Sequence, residues 1–204
     1  MLENRVSIMS QGPRYRLKFK RRRLGLTDYR LRLKLLLSGK PRLVLRRSNR
    51  YVYAQFVTSK GGSDRTLVSL SSKELARFGY PTGLTSAPAC YLTGLLMAKR
   101  VQKVGFKDAV LDIGLAHHVA KSDFYAFVKG CQDGGLNIPC SEEVLPDEFR
   151  ISGGHIAEYA KLLKANNPEK YTRQFAGFIS ANVQPERLVE LFNEVKQKIL
   201  ESEK

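Results

Sequence analysis

Between residues 42 and 70 the apolar positions of this chain recur at every second residue, and beyond residue 86 they recur every three or four. Leu43, Val44 and Leu45 predict one strand, and Ser48-Asn49-Arg50 is a turn signal. Tyr51 to Val57 predicts a return strand with Val52, Ala54 and Phe56 on one face and Tyr51, Tyr53 and Gln55 on the other. Gly61-Gly62-Ser63-Asp64 then turns the chain into a third strand, Thr66 to Leu70, which completes an antiparallel meander. Ser71 or Ser72 caps a short turn through Leu75 and Ala76. Ser86, followed by Pro88, opens a helix to about Val104 that carries Leu92, Leu95, Leu96 and Ala98. The continuous apolar run Ala109-Val110-Leu111-Asp112-Ile113, ended by Gly114, predicts a strand covered on both faces. Phe124, Phe127, Val128 and Cys131 predict a second helix from Ser122 to about Gln132, and Leu136 to Pro139 is a short edge strand at most.

Helical periods dominate the two ends. Ser152 is expected to cap a helix carrying Ile156, Tyr159, Ala160 and Leu163, and Pro185 to open a last helix striped by Leu188, Leu191, Phe192, Val195 and Ile199. Core packing and a protein partner explain these stripes equally well. Upstream, Thr27 and Asp28 can cap a short helix from Tyr29 to about Leu37, closed by Ser38-Gly39 and Pro41. The fold class is therefore α/β: a layered domain with an antiparallel β-meander and a buried strand packed by helices, over residues 40–140. Residues 1–39 form a basic arm and short helix, and residues 141–204 a helical C-terminal extension.

Charge changes this picture. The 204 residues hold 35 Lys or Arg against 19 Asp or Glu, a formal charge of +16. Residues 1–50 contain sixteen of the basic residues against Glu3 and Asp28, whereas the remainder, with 19 basic and 17 acidic, is nearly neutral. In the stretch 14–23, Arg14, Arg16, Lys18, Lys20, Arg21, Arg22 and Arg23 alternate with Tyr15, Leu17 and Phe19, and no acidic residue intervenes. Like charges repel there, and so few apolar groups cannot offset roughly 1–2 kcal/mol per residue of backbone ordering. A polyanion supplies the missing free energy by accepting charge-assisted hydrogen bonds and releasing its counterions. The arm is thus expected to order on nucleic acid; a solubilising tail or a sorting signal is the plainer alternative. An anionic membrane would attract the same charge, but the arm lacks the amphipathic helical pattern that would hold it there. The first ten residues lack the apolar core of a signal peptide and no 18-residue apolar run follows, so a cytosolic protein is expected.

Catalytic chemistry finds little support in the residue pattern. Cys90, Cys131 and Cys140 make an odd count without a CxxC pair, which indicates neither a disulfide framework nor a zinc ribbon. Gly61-Gly62 lacks the surrounding motif of a phosphate loop. Asp108 and Asp112 flank the predicted buried strand, as metal-holding carboxylates of a nuclease would, but no further carboxylate clusters near them; a strand-end Asp bonded to backbone or Arg is the favoured reading. His117 and His118 are adjacent, so they face apart on a strand and at about 100° on a helix, a poor arrangement for one metal ion, and His155 stands alone. No catalytic residue, metal ligand or cofactor is assigned, and no enzyme is expected.

Several stretches together resemble one family, the 5S-rRNA-binding large-subunit ribosomal protein of universal number eighteen in its archaeal and eukaryotic form. They are RRRLGLTDYRLRLKLLLSGKPRLVLRRSNRYVYAQF at 21–56, TLVSLSSKEL at 66–75, Ala89 through Leu96, AVLDIGL at 109–115, FVKGCQDGGLNIP at 127–139 and GGHIAEYAKLL at 153–163. The resemblance runs from about Arg14 to Leu163. It implies an α/β domain related to the ribonuclease H-like layered folds, without catalysis, and C-terminal helices absent from the shorter bacterial members. It also implies a structural part of the large ribosomal subunit in the cytoplasm, which binds 5S rRNA and anchors it in the central protuberance, beside large-subunit rRNA and neighbouring ribosomal proteins. Leu26, where a Lys is common, Cys140, where a His is common, and a loop 117–123 poorer in glycine depart from the family pattern.

The expected RNA-binding residues follow from the resemblance and the residue chemistry together. Arg14, Arg16, Lys18, Lys20, Arg21, Arg22, Arg23 and Arg30 track phosphates, and Tyr15, Phe19 and Tyr29 stack on unpaired bases. Arg46, Arg47, Ser48, Asn49 and Arg50 surround the first hairpin turn, where Ser48 and Asn49 reach for 2′-hydroxyls. Tyr51 and Tyr53 are read first as packed sheet residues, with stacking as the alternative. A general RNA or DNA chaperone and a divalent-metal nuclease of related fold are the competing functions.

Overall fold

A four-stranded sheet, three antiparallel strands with a fourth joined in parallel at one edge, carries the chain in the computed structural model, which describes residues 12–202; residues 1–11, on which the expectation about a leader falls, and 203–204 lie outside. Before the sheet come a single helical turn, α1 (Lys20–Arg23), and α2 (Tyr29–Leu37). Asp28 caps α2, its carboxylate accepting from the backbone N–H of Arg30 at 2.8 Å and of Leu31 at 3.1 Å, while Thr27 instead accepts from Arg21 Nε at 2.6 Å.

The meander forms as its period demands. β1 (Arg42–Arg47), β2 (Val52–Lys60) and β3 (Ser63–Ser71) pair antiparallel, with Leu43 opposite Phe56, Leu45 opposite Ala54, and Ala54 opposite Leu70. That register puts Leu43, Leu45, Val52, Ala54, Phe56, Val68 and Leu70 on one buried face. Only Gly61 and Gly62, with φ of 57° and 82°, make the second turn, so Ser63 and Asp64 already belong to β3. Ser71 caps the following 3-10 turn in a capping box with Glu74, and Ser72 Oγ, fully buried, accepts from Val52 N at 3.0 Å.

Against the buried face lies α3 (Ala87–Lys103), which starts with Pro88 in its first turn and is apolar nearly all round because it is enclosed on both sides. Its neighbour α4 (Asp123–Asp133) approaches so closely that a Cβ at Gly94 would collide with the Phe127 carbonyl and one at Gly130 with the Tyr91 carbonyl. Between the two helices β4 (Val110–Asp112) joins β1 in parallel, with Leu43 opposite Leu111.

This strand corrects one expectation. It is three residues long, lies at the sheet edge, and leaves Val110 and Leu111 half-buried. Beyond it the sheet continues only as a single bridge from Asp108 to Asn137, so a 280 Å³ cavity remains between Val110, Leu111, Val128, Ile138 and Val144. An apolar run reports that a segment is covered, but not by how many layers.

The last third packs back onto the body. α5 (Glu148–Ser152) and α6 (Gly154–Asn166) meet at Gly153, whose φ of 85° ends one helix and starts the next. Ser152 therefore does not cap α6; its hydroxyl donates to Phe149 O inside α5 at 3.3 Å. The face of α6 turned inward is Gly154, Ala157 and Ala160, small residues that permit close approach, while Tyr159 stays half exposed with its ring 6.4 Å from that of Phe175. Two short helices that the periodicity does not predict follow, α7 (Pro168–Gln174) and α8 (Ala176–Ser180), gathered around the aromatic rings of Tyr171, Phe175 and Phe178. α9 (Leu188–Ser202) buries Leu188, Phe192, Val195 and Ile199, and the Phe192 ring sits 5.5 Å from that of Tyr91 on α3. Of the two explanations for its stripe, its own core is the one observed.

Candidate nucleic-acid interface

Every residue from Gly12 to Leu26 is exposed. Arg14, Tyr15, Arg16 and Lys18 lie on an irregular stretch, and Lys20, Arg21, Arg22 and Arg23 make up α1, which has no acidic residue in its turn. Four cations on one helical turn repel each other, and those nearest its N-terminus also oppose the helix dipole. An external anion relieves both. Phe19, 88% exposed, stands at the N-cap of this turn without apolar cover. Tyr29 and Arg30 continue the exposed surface onto the start of α2.

The first hairpin divides its polar residues into two groups. Ser48 is committed to the turn itself: its hydroxyl donates to Tyr51 O at 2.8 Å and accepts from Tyr51 N at 3.0 Å. Arg47 pairs with Asp123 at 2.9 Å, and Arg46 donates to the Leu45 and Asp112 carbonyls and to the Asp112 carboxylate. Both arginines nevertheless remain about half exposed, at 48% and 47% of the side chain. Asn49 and Arg50 project from the exposed tip.

Behind Arg46 runs a chain of ion pairs on the sheet face opposite the core. Arg32 of α2 and Arg42 of β1 both donate to Asp64 Oδ2, at 2.7 and 2.8 Å; Arg42 also reaches Asp112 at 2.8 Å, and Asp112 holds Arg46 at 3.1 Å. Burial alone would push the Asp64 carboxyl up, but hydrogen bonds from Ser59 and Arg42 and the charges of Arg42 and Arg32 outweigh it and hold the group below its ordinary value. Gly114, at φ 65°, lets the loop after β4 lie against the Arg46 guanidinium; a Cβ there would stand 2.8 Å from its Cζ.

These pairs line a cleft of about 480 Å³ between α2 and the outer sheet face. Arg21 of the arm, Thr27, Arg32, Arg42, Arg46 and Arg47 all border it, with Val44, Gln55 and Val57 among its floor. Two basic segments that are separated in sequence, the arm and the hairpin, thus meet around one opening. Arg42 and Asp64 were not among the residues expected from sequence. The signal that was available for Arg42 is its place in the alternation with Val44 and Arg46, which puts all three on the outer face.

The remaining chemical candidates disperse. Asp112 is held by two arginines and by the N–H of Gly114 at 2.9 Å, whereas Asp108 accepts from Asn137 Nδ2 at 2.8 Å beside Lys40. Among the described residues no three His, Cys, Asp or Glu side chains gather as metal ligands would. His118 Nδ1 lies 3.1 Å from the Tyr125 hydroxyl, and His155, which burial and Arg150 push down, stays on α6. Cys90 and Cys131 are buried thiols. Among the described residues no helix is long and apolar enough to cross a membrane.

A family model described as ribosomal large subunit proteins 60S L5 and 50S L18 matches residues 13–109, which takes in the arm, α2, the whole meander and α3.

Proposed function

Because the chain belongs to this family of large-subunit ribosomal proteins, we propose that it binds 5S rRNA and anchors it in the central protuberance of the large subunit. The matched family is one of structural ribosomal proteins, which supports a structural role with rRNA and other parts of the ribosome as partners. The observation that supports the finer reading is the shared cleft, where Arg21 of the arm and Arg46 and Arg47 of the hairpin face one opening.

In this reading residues 1–39 are the RNA-binding arm, 40–140 the α/β body, and 141–204 a helical addition. Arg14, Arg16, Lys18 and the four cations of α1 neutralise phosphates along a backbone, and each contact releases a condensed counterion. Phe19, already exposed in the free protein, stacks on an unpaired base without first giving up apolar neighbours. The hairpin tip, through Asn49 and Arg50, enters the wide minor groove of A-form RNA, where 2′-hydroxyls are displayed. Ser48 acts indirectly, by closing the turn that presents them. Neighbouring ribosomal proteins are expected against the remaining surface.

A competition titration tests this: 5S rRNA against an unrelated folded RNA of equal length, over a salt series, with the full chain and with residues 14–23 deleted. Preference for 5S rRNA that persists at high salt, with a flatter salt slope after the deletion, is the expected result. Equal affinity for both RNAs would instead describe a general nucleic-acid chaperone.

A further inference from the structure

We propose that Tyr53 is a base-stacking platform, and that the open half of the outer sheet face around it receives one unpaired RNA base. The inference rests on the RNA-binding reading above and adds to it a contact on the sheet itself.

Alternation along β2 places Tyr51, Tyr53 and Gln55 on the face away from the core. α2 roofs one end of that face and encloses the cleft bordered by Gln55, Val57 and Thr66. Tyr53 lies one step beyond this roof. The residue is 45% exposed, although a tyrosine in a strand ordinarily covers its ring with cross-strand neighbours.

Both neighbours leave it bare. Across β1 its register partner is Arg46, the one side chain there long enough to lie over the ring, but Asp112 and two carbonyls draw the Arg46 guanidinium the other way. Across β3 its partner is Ser71, too short to cover an aromatic ring. Tyr51 touches Tyr53 edge-on, with centroids 6.5 Å apart and planes at 71°, which braces the ring without occupying its face. The free face is therefore presented beside a fixed cation. A base laid on the ring gains stacking, and its phosphate falls within the field of Arg46 and the exposed hairpin tip. An apolar protein side chain would find the ring equally bare but would gain nothing from these cations, so RNA is the occupant the charges favour.

The test is the same 5S rRNA titration with Tyr53→Val, which retains strand preference, and Tyr53→Phe, which retains the ring, alongside a thermal melt of each. Tyr53→Val is expected to weaken binding by about 5- to 140-fold, the ratio that corresponds to one stacked base. Its salt slope should stay at the wild-type value, since every phosphate remains neutralised. Tyr53→Phe is expected to bind as wild type. Wild-type preference for 5S rRNA with Tyr53→Val equally tight would overturn the stacking role alone. Equal loss in both variants would also overturn it, by assigning the effect to the hydroxyl or to folding. Absence of any 5S preference in the wild type would remove the functional reading and this one with it.

Discussion

Arg42 Nη1 donates to Asp112 Oδ2 at 2.8 Å across the seam between β1 and β4, with only 5% and 8% of the two side chains exposed. β4 offers three residues of backbone pairing to β1, and this buried pair adds a side-chain link across the same seam. The Arg42 guanidinium also bonds Asp64 on β3, and one arginine thereby links an outer antiparallel strand to the parallel edge.

Breaking that pair from one side leaves a buried cation with one partner fewer. Asp112→Ala is expected to cost about 3–5 kcal/mol, read as a lower urea midpoint with the m-value unchanged. The double change Arg42→Met with Asp112→Leu should cost less than the sum of its single changes, because each single change already removes the bond that the double change loses only once.

Acid should loosen the same network. Asp64 titrates below its ordinary value of 3.8 in the folded chain, so the unfolded chain binds protons more readily in that range. The stability this carboxylate contributes is complete above the ordinary value and is lost as pH falls through the folded one. Unfolding free energy measured from pH 6 down to about pH 3 should fall less steeply for Asp64→Asn than for the wild type, with Asp64→Asn already less stable at pH 6.

Helix packing sets a third expectation. Because a methyl group at Gly94 would strike the Phe127 carbonyl on α4, which is backbone and cannot rotate aside, Gly94→Ala must push the two helices apart. A loss of roughly 3 kcal/mol or more is expected despite the better helix propensity of alanine. A rise in melting temperature would show that the helices can separate at no cost.

Neutralising Arg21, Arg22 and Arg23 together with Gln should reduce the slope of log K against log salt by about 2–3, near one unit for each phosphate left without its arginine. The 5S rRNA titration measures it. An unchanged slope would mean that α1 does not touch phosphate.

Thiol modification should be ordered by burial. Burial pushes the Cys90 and Cys131 thiols well up, and the half-buried Cys140 is raised by the same cause. Near neutral pH a thiol reagent should label Cys140 alone and slowly, with the other two reacting only on unfolding, as peptide mass spectrometry can follow.

How much of the fold is legible in the sequence depends on the range of the interactions involved. Asp28 before α2, Ser71 before the 3-10 turn and Pro88 at the start of α3 act within about four residues of themselves, and the elements they bound appear where the pattern places them, whereas the glycine turn is two residues shorter than expected and β3 starts at Ser63. Ser152 misled because the cap rule weighs side chains, whereas Gly153 turns the chain by its positive φ, a backbone property. Exposure of the arm follows from its charge, since seven cations with no acidic residue among them are costly to bury.

The period, the caps and the uneven charge are carried by neighbouring residues, and they dictated the meander, the main helices and the basic arm from the order of amino acids. What the arm and hairpin face together, and which arginines are held, came only with folding. Asp112 meets Arg42 across 70 positions and Arg46 across 66. Such partners are chosen by strand register and sheet order, which depend on every layer packed between them rather than on any local pattern. The same choice uncovers Tyr53: its alternation is local, but its bare face exists because a distant carboxylate holds the arginine beside it.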